Sequence, residues 1–207
     1  SASMRLLLIR HAQTAGNLAH RYIGATDEPL CPLGEQTARD AAPVRPPDTV
    51  YVTMMRRTQQ TAKILFPTAR QIIVPGLREM DFGAFEGKNY EEMAHDAAYR
   101  AWVDGGCLGT CPGGESRAAF CARVCEAFTA LMREWLAAGT ESAVLVVHGG
   151  TIMALLSSLA RPEIDYYAAG VGNCRGVSCT LLADADGKPA LLDVRKLDAL
   201  SQWEEKA

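Results

Sequence analysis

Four short stretches of the chain carry residues able to do chemistry on an anion. Arg10-His11 closes the apolar run Met4-Arg5-Leu6-Leu7-Leu8-Ile9, and polar residues follow as far as Asn17. Arg56-Arg57 follows a second apolar run, Leu77-Arg78-Glu79 follows a third, and His148-Gly149-Gly150 ends a fourth. Arginine forks match phosphate oxygens in a bidentate way. A Gly-rich turn entering a helix offers free N–H groups and a positive dipole end to an anion. A neutral imidazole beside such a pocket can attack phosphorus and leave again. Flanking arginines disfavour the imidazolium, which keeps His11 neutral near pH 7. Glu79 is the proton donor that a departing alkoxide needs. Singly, each residue has a plain structural reading: a surface pair, a core histidine, a solvated carboxylate, a tight turn. Together they describe a phosphoryl-transfer site.

That convergence requires a scaffold. Strand patterns cover Arg5–Arg10, Thr49–Thr53, Gln71–Val74, Ala143–His148, Gly176–Leu182 and Leu191–Arg195. The first and fourth are almost wholly apolar, as in parallel strands buried on both faces. Helical periodicity falls between them, over Gly34–Ala42, Arg56–Leu65, Tyr90–Val103, Ser116–Ala138 and Thr151–Leu159. Phe120, Val124, Phe128, Leu131 and Trp135 recur at helical steps and belong to the core. Alternation of strands and helices predicts an α/β, three-layer sandwich with a mostly parallel, doubly wound sheet and helices on both faces. In such sheets ligands bind beyond the carboxyl ends of the strands, where all four stretches lie. Pro43-Val44-Arg45-Pro46-Pro47 reads as a connector, and Asp104–Glu115 as a loop. Gly170-Val171-Gly172-Asn173-Cys174-Arg175-Gly176 has the look of a dinucleotide fingerprint. Its third glycine is misplaced and a strand follows, so it is set aside.

Bulk properties narrow the classes. The 207 residues, 48% hydrophobic and 22% charged, suit one domain with a full core. A net charge of −3 speaks against nucleic-acid binding, and no apolar run is long enough for a membrane span. No signal-peptide-like segment precedes the first strand, so a cytoplasmic location is expected. Seven cysteines then read as free thiols. Cys107, Cys111, Cys121 and Cys125 have admissible zinc spacing but fall in a Gly-rich loop and a helix pattern, so no metal site is expected.

The motifs together resemble those of the histidine phosphatase superfamily, which includes the cofactor-dependent phosphoglycerate mutases. Arg10-His11-Ala12-Gln13-Thr14-Ala15-Gly16-Asn17 is similar to R-H-G-x-[ST]-x-x-N. Tyr22–Leu30, containing Gly24, is similar to the loop that follows, and Arg57-Thr58-Gln59-Gln60-Thr61-Ala62 to R-x-x-Q-T-A. Leu77–Gly87 is similar to L-x-E-x-x-F-G-x-x-E-G, and His148-Gly149-Gly150 to the second-histidine motif. The resemblance implies one domain over residues 1–207, with 84–115 as a cap. It implies a phosphohistidine on His11 and oxygens held by Arg10, Arg57 and His148. Asn17, Gly24 and Gly149 would assist, with Glu79 as acid and then base. It implies no cofactor and no metal. Two departures stand out: Ala12 where the family has Gly, which would cost about 1 kcal/mol if that backbone needed a positive φ, and Thr53 where Ser is usual.

The expected substrate is a small-molecule phosphate ester, with at most a second copy of the chain as partner. Lys88 and Arg100 are the cap's cations, against Glu91, Glu92, Asp96 and Asp104, so the long basic insert of mutases is missing. Tyr90, Tyr99 and Trp102 suggest a ring-containing or uncharged leaving group. Pro112-Gly113-Gly114-Glu115-Ser116 resembles a stretch of the α-ribazole phosphatase and broad-specificity branches, which makes α-ribazole 5′-phosphate the first candidate. The alternatives are a broad-specificity phosphatase, a mutase, and a non-catalytic phosphate-binding module.

Overall fold

A computed structural model describes residues 2–41 and 45–203. Ala42 and part of the expected proline connector lie outside the described residues.

The strands are β1 (Ser3–Arg10), β2 (Thr49–Val52), β3 (Arg70–Ile73), β4 (Ser142–Val147), β5 (Gly176–Ala183) and β6 (Pro189–Lys196), in the order β3-β2-β4-β1-β5-β6. β3, β2, β4 and β1 are mutually parallel, while β5 runs antiparallel to both β1 and β6. The central strand β1 pairs Leu6 with Ala143 and Arg10 with Val147 on one side, and Leu6 with Cys179 on the other.

A short helix, α1 (Ala15–Leu18), follows β1, and the alternation along β1 explains why helices cover both faces. Leu6 and Leu8 pack with α5 (Arg117–Ala137) and α6 (Gly149–Leu159). Leu7 and Ile9 point the other way, into a cluster with Ala38 of α2 (Pro32–Asp40) and Ala62 of α3 (Arg56–Leu65). All four β1 side chains are fully buried, each contributing about 1.5–3 kcal/mol of transfer free energy. The stripe Phe120, Val124, Phe128, Leu131 and Trp135 is buried as its periodicity requires.

One helix departs from the periodicity. Instead of Tyr90–Val103, the helix α4 covers only Ala97–Asp104. Asp96 stops it from extending backward: its carboxylate accepts the Tyr99 N–H at 3.0 Å, an N-cap that leaves 90–95 in turns. Asn89 reinforces those turns by accepting the Glu92 N–H at 2.9 Å. The cysteines are unpaired, and among the described residues no group of three or more His, Cys, Asp or Glu side chains could hold a metal ion. No described helix is long and apolar enough to cross a membrane.

Candidate active site

β1 delivers Arg10 and His11 to its carboxyl end, and parallel β4 delivers His148 beside them. The His11 and His148 rings stand edge to face with centroids 5.5 Å apart. His11 is buried, with Nδ1 2.7 Å from the carbonyl oxygen of Ala12. A carbonyl only accepts, so this contact requires Nδ1–H and leaves Nε2 with its lone pair. Burial first, then the positive charges of Arg57 and Arg10, pushes the His11 pKa down to about 3. The imidazole is therefore neutral at physiological pH.

Ala12 places no strain on this arrangement. Among the described residues, the non-glycine ones with positive φ are His20, Cys107, Cys174 and Asp193, so Ala12 carries no left-handed cost. Its N–H donates to Thr61 Oγ1 at 3.0 Å, tying the segment after β1 to α3.

His148 is fully buried at the start of α6. Its Nε2 lies 2.9 Å from Thr53 Oγ1 at the end of β2, and its Nδ1 is buried without a hydrogen-bond partner. Burial and the neighbouring Arg57 hold its pKa well below the ordinary histidine value. The two glycines that follow are spacers for charged groups. A Cβ on Gly149 would stand 3.0 Å from Arg10 Nε, and one on Gly150 would stand 2.1 Å from Glu79 Oε1. The Gly150 N–H donates to Glu79 Oε2 at 3.0 Å, and the Met80 N–H to Oε1 at 2.9 Å. Burial raises the Glu79 pKa, opposed by those two N–H groups and by Arg57 and Arg10.

Arg57 and Arg56 diverge as the helix face requires. Arg57 is 1% exposed, and its guanidinium donates to the carbonyls of Thr26 at 2.6 Å and Gly24 at 2.8 Å. Arg56 lies outside, donating to Asp27 O at 2.7 Å. Gly24 thus reaches the cluster through its carbonyl, since its N–H donates to Glu86 Oε2 at 3.0 Å. A Cβ on Gly24 would collide with Met80 O at 1.8 Å, so only glycine fits. Asn17 belongs to a capping box with Thr14, and its Oδ1 also accepts Asn173 Nδ2 at 3.2 Å. Its amide oxygen is thereby engaged and its NH2 remains as a donor. The structure gathers Arg10, His11, Arg57, Glu79, His148 and Gly149 around one point, with Asn17 and Gly24 in its supporting loops.

Several residues outside the expected site support it. Val171 O accepts Arg10 Nη1 at 3.0 Å, and Asn173 Nδ2 donates to His11 O at 3.1 Å. Both lie in the Gly-rich stretch set aside above; it buttresses the first strand end. Glu86 accepts N–H groups from Gly24, Ala25 and Phe82, pinning the loop that holds Arg57. Arg123 on α5 bridges Glu115 at 2.8 Å and the carbonyl of Glu79 at 3.1 Å, fixing the Glu79 loop. A polar residue on an amphipathic helix gives no hint of such a task.

A cavity of about 270 Å³ opens beside Glu79 and Gly150. Tyr22, Phe82, Trp102, Met153 and Tyr166 line it, and Arg117 is the one cation among its lining residues. Arg117 lies 4.0 Å over the Tyr166 ring and donates to Tyr167 Oη at 2.6 Å. Tyr167 Oη donates in turn to Gly106 O at 3.0 Å, linking this wall to the 104–115 loop. Of the aromatic residues expected near a substrate, Trp102 lines the cavity. Tyr99 is buried with its Oη 2.9 Å from Tyr22 Oη, and Tyr90 is 59% exposed elsewhere.

Known proteins resemble this chain in sequence and in fold. The sequence profile of the histidine phosphatase superfamily (branch 1) matches residues 6–194. The glucosyl-3-phosphoglycerate phosphatase of Mycolicibacterium vanbaalenii is 34% identical over 205 residues, 92% of this chain and 91% of that protein. The adenosylcobalamin/alpha-ribazole phosphatase of Salmonella typhimurium is 29% identical over 75% of this chain and 79% of its own. The structure of the alpha-ribazole phosphatase from Shigella flexneri superposes with a TM-score of 0.78 and 25% identity, covering 98% of this chain and all of that one (100%).

Proposed function

The chain is a phosphatase that belongs to branch 1 of the histidine phosphatase superfamily, and from that premise we propose that it hydrolyses small phosphate monoesters through a phosphohistidine on His11. One observation carries this reading: the Nδ1 contact to Ala12 O leaves Nε2 as a neutral nucleophile beside Arg10 and Arg57. Nε2 attacks phosphorus and the ester P–O bond breaks. Glu79 gives its proton to the leaving oxygen; its raised pKa suits a carboxyl that must hold one. Water then attacks the phosphohistidine, Glu79 takes a proton from it, and the P–N bond breaks. Arg10, Arg57, His148 and the amide of Asn17 stabilise the charge on the equatorial oxygens.

For the leaving group, the aromatic wall of the 270 Å³ cavity favours a ring-bearing alcohol, with α-ribazole 5′-phosphate first. A second reading has its own support. The similarity to a glucosyl-3-phosphoglycerate phosphatase spans nearly the whole chain, and Arg117 is a cation suited to a carboxylate in that cavity. A mutase fits less well, because a phosphoglycerate would find a single arginine among aromatic walls.

The deciding experiment is steady-state turnover of α-ribazole 5′-phosphate, glucosyl-3-phosphoglycerate and 3-phosphoglycerate, with and without chelator. Mass spectrometry under non-acidic conditions should locate phosphate on His11. Full activity in His11→Ala would overturn the mechanism, and chelator-dependent activity would overturn its independence of metal.

A further inference from the structure

We propose that Thr53 is a positioning residue whose hydroxyl donates to His148 Nε2 and thereby fixes the proton on His148 Nδ1. His148 then meets a phosphoryl oxygen as a neutral hydrogen-bond donor. The proposal rests on the phosphohistidine reading for its catalytic consequence, but its tautomer stands independently of any substrate.

The argument is a proton count. The Thr58 hydroxyl lies 2.9 Å from Met55 O, which can only accept, so its proton goes there. Thr58 Oγ1 also accepts the Thr53 N–H at 3.1 Å. Thr53 Oγ1 accepts the Met55 N–H at 3.3 Å. The Thr53 proton thus has two destinations, His148 Nε2 at 2.9 Å and Thr58 Oγ1 at 3.2 Å. The imidazole nitrogen is nearer, and its lone pair is the stronger acceptor. Donation there leaves the proton of neutral His148 on Nδ1.

The other nitrogen decides the matter chemically. Nδ1 is fully buried and unpartnered, in the cluster that also holds the unpartnered Nε atoms of Arg10 and Arg57. A bare lone pair on Nδ1 would repel a phosphoryl oxygen, whereas Nδ1–H supplies a third kind of donor beside the two guanidinium groups. The two histidines then share one tautomer and perform opposite tasks. His11 spends its Nδ1–H on Ala12 O and keeps a lone pair for attack. His148 spends its Nε2 lone pair on Thr53 and keeps an N–H for binding. Thr53 in place of the more usual serine conserves the hydroxyl on which this depends.

The test is ¹⁵N NMR of histidine-labelled protein at neutral pH, together with kinetics of Thr53→Ser and Thr53→Val. The expected spectrum shows His148 protonated at Nδ1, with Nε2 at the shift of a hydrogen-bonded, unprotonated nitrogen. Thr53→Val, which keeps the shape and loses the hydroxyl, should lower kcat/KM about 10–100-fold, with the His148 signals moving toward the other tautomer. Thr53→Ser should restore most of the activity and the wild-type signals. A wild-type His148 protonated at Nε2 overturns the proposal even if Thr53→Val fails to fold. So does a folded Thr53→Val as active as Thr53→Ser. A protein with the expected tautomer but no turnover of any phosphate ester would overturn the functional reading instead.

Discussion

The Glu79 carboxylate rests on the backbone of Gly150: Oε2 accepts the Gly150 N–H at 3.0 Å, and a Cβ on that residue would stand 2.1 Å from Oε1. The second glycine of His148-Gly149-Gly150 is therefore a seat for the candidate acid. In Gly150→Ala the methyl group must displace the end of a flexible side chain, which the fold can accommodate. Stability should change by only about 1 kcal/mol. Displacing the acid by an ångström should cost alkyl esters about 10²-fold in kcat/KM. Urea unfolding and steady-state kinetics on the same variant separate the two effects. Unchanged kinetics would show that Glu79 tolerates another seat.

Arg57 and Arg56, adjacent in sequence, should differ sharply on truncation. Arg57 is buried and donates to the carbonyls of Thr26 and Gly24 in the site's supporting loop. Its guanidinium is worth roughly 1.5–3 kcal/mol toward a charged ligand, so Arg57→Ala should lower kcat/KM by about 10–150-fold or more. Arg56 forms an exposed pair with Asp27 at 3.5 Å, of a kind worth about 0–1 kcal/mol. Arg56→Ala should therefore stay within about threefold of wild type. The reverse order would move the anion site to Arg56.

Much of this was legible in the chain because strand ends and motif residues coincide. The unbroken apolar run Leu6–Ile9 predicts a strand buried on both faces, and the strand's end places Arg10 and His11. The helix stripe running from Arg57 through Thr61 predicts which arginine turns inward. What stayed hidden depends on contacts distant in sequence. Asn173 reaches back 162 positions to His11 O, and Arg123 reaches 44 positions to Glu79 O. No local pattern encodes such contacts. The boundary of α4 departs from the periodicity because Asp96 caps a helix inside a run whose apolar spacing continues through it.

Stability should fall on mild acidification because the neutral His11 is buried. Its pKa is about 3 in the folded protein, against an ordinary 6.5. Above 6.5 neither state binds the proton. Between 6.5 and 3 the unfolded chain binds it and the folded one does not, so stability declines as pH falls through that window. His148, shifted in the same direction, adds to the decline. Glu79 is shifted upward and opposes it. Unfolding free energies from urea titrations at pH 8, 6.5 and 5 should decrease in that order by a total on the order of 1–3 kcal/mol. His11→Asn should flatten the dependence. An equal slope in that variant would mean that His11 takes up its proton at the same pH in the folded and the unfolded protein.

Glu79 as a proton donor predicts that its removal discriminates among leaving groups. Glu79→Gln keeps the size of the side chain and an acceptor for one of the N–H groups of Met80 and Gly150. It cannot deliver a proton to an alkoxide. Alkyl phosphates, whose leaving oxygen is strongly basic, should lose about 10²–10⁴-fold in the first step. Activated aryl phosphates depart without help, so their release of phenol in a single turnover should fall far less. Their steady-state rate should still drop, because water must be deprotonated to cleave the phosphohistidine, and labelled phosphate should then accumulate on His11. Burst kinetics with an aryl ester therefore reads both halves of the role in one experiment. Equal losses for both ester classes in single turnover, with no accumulation on His11, would reduce Glu79 to a structural anchor for the Gly150 turn.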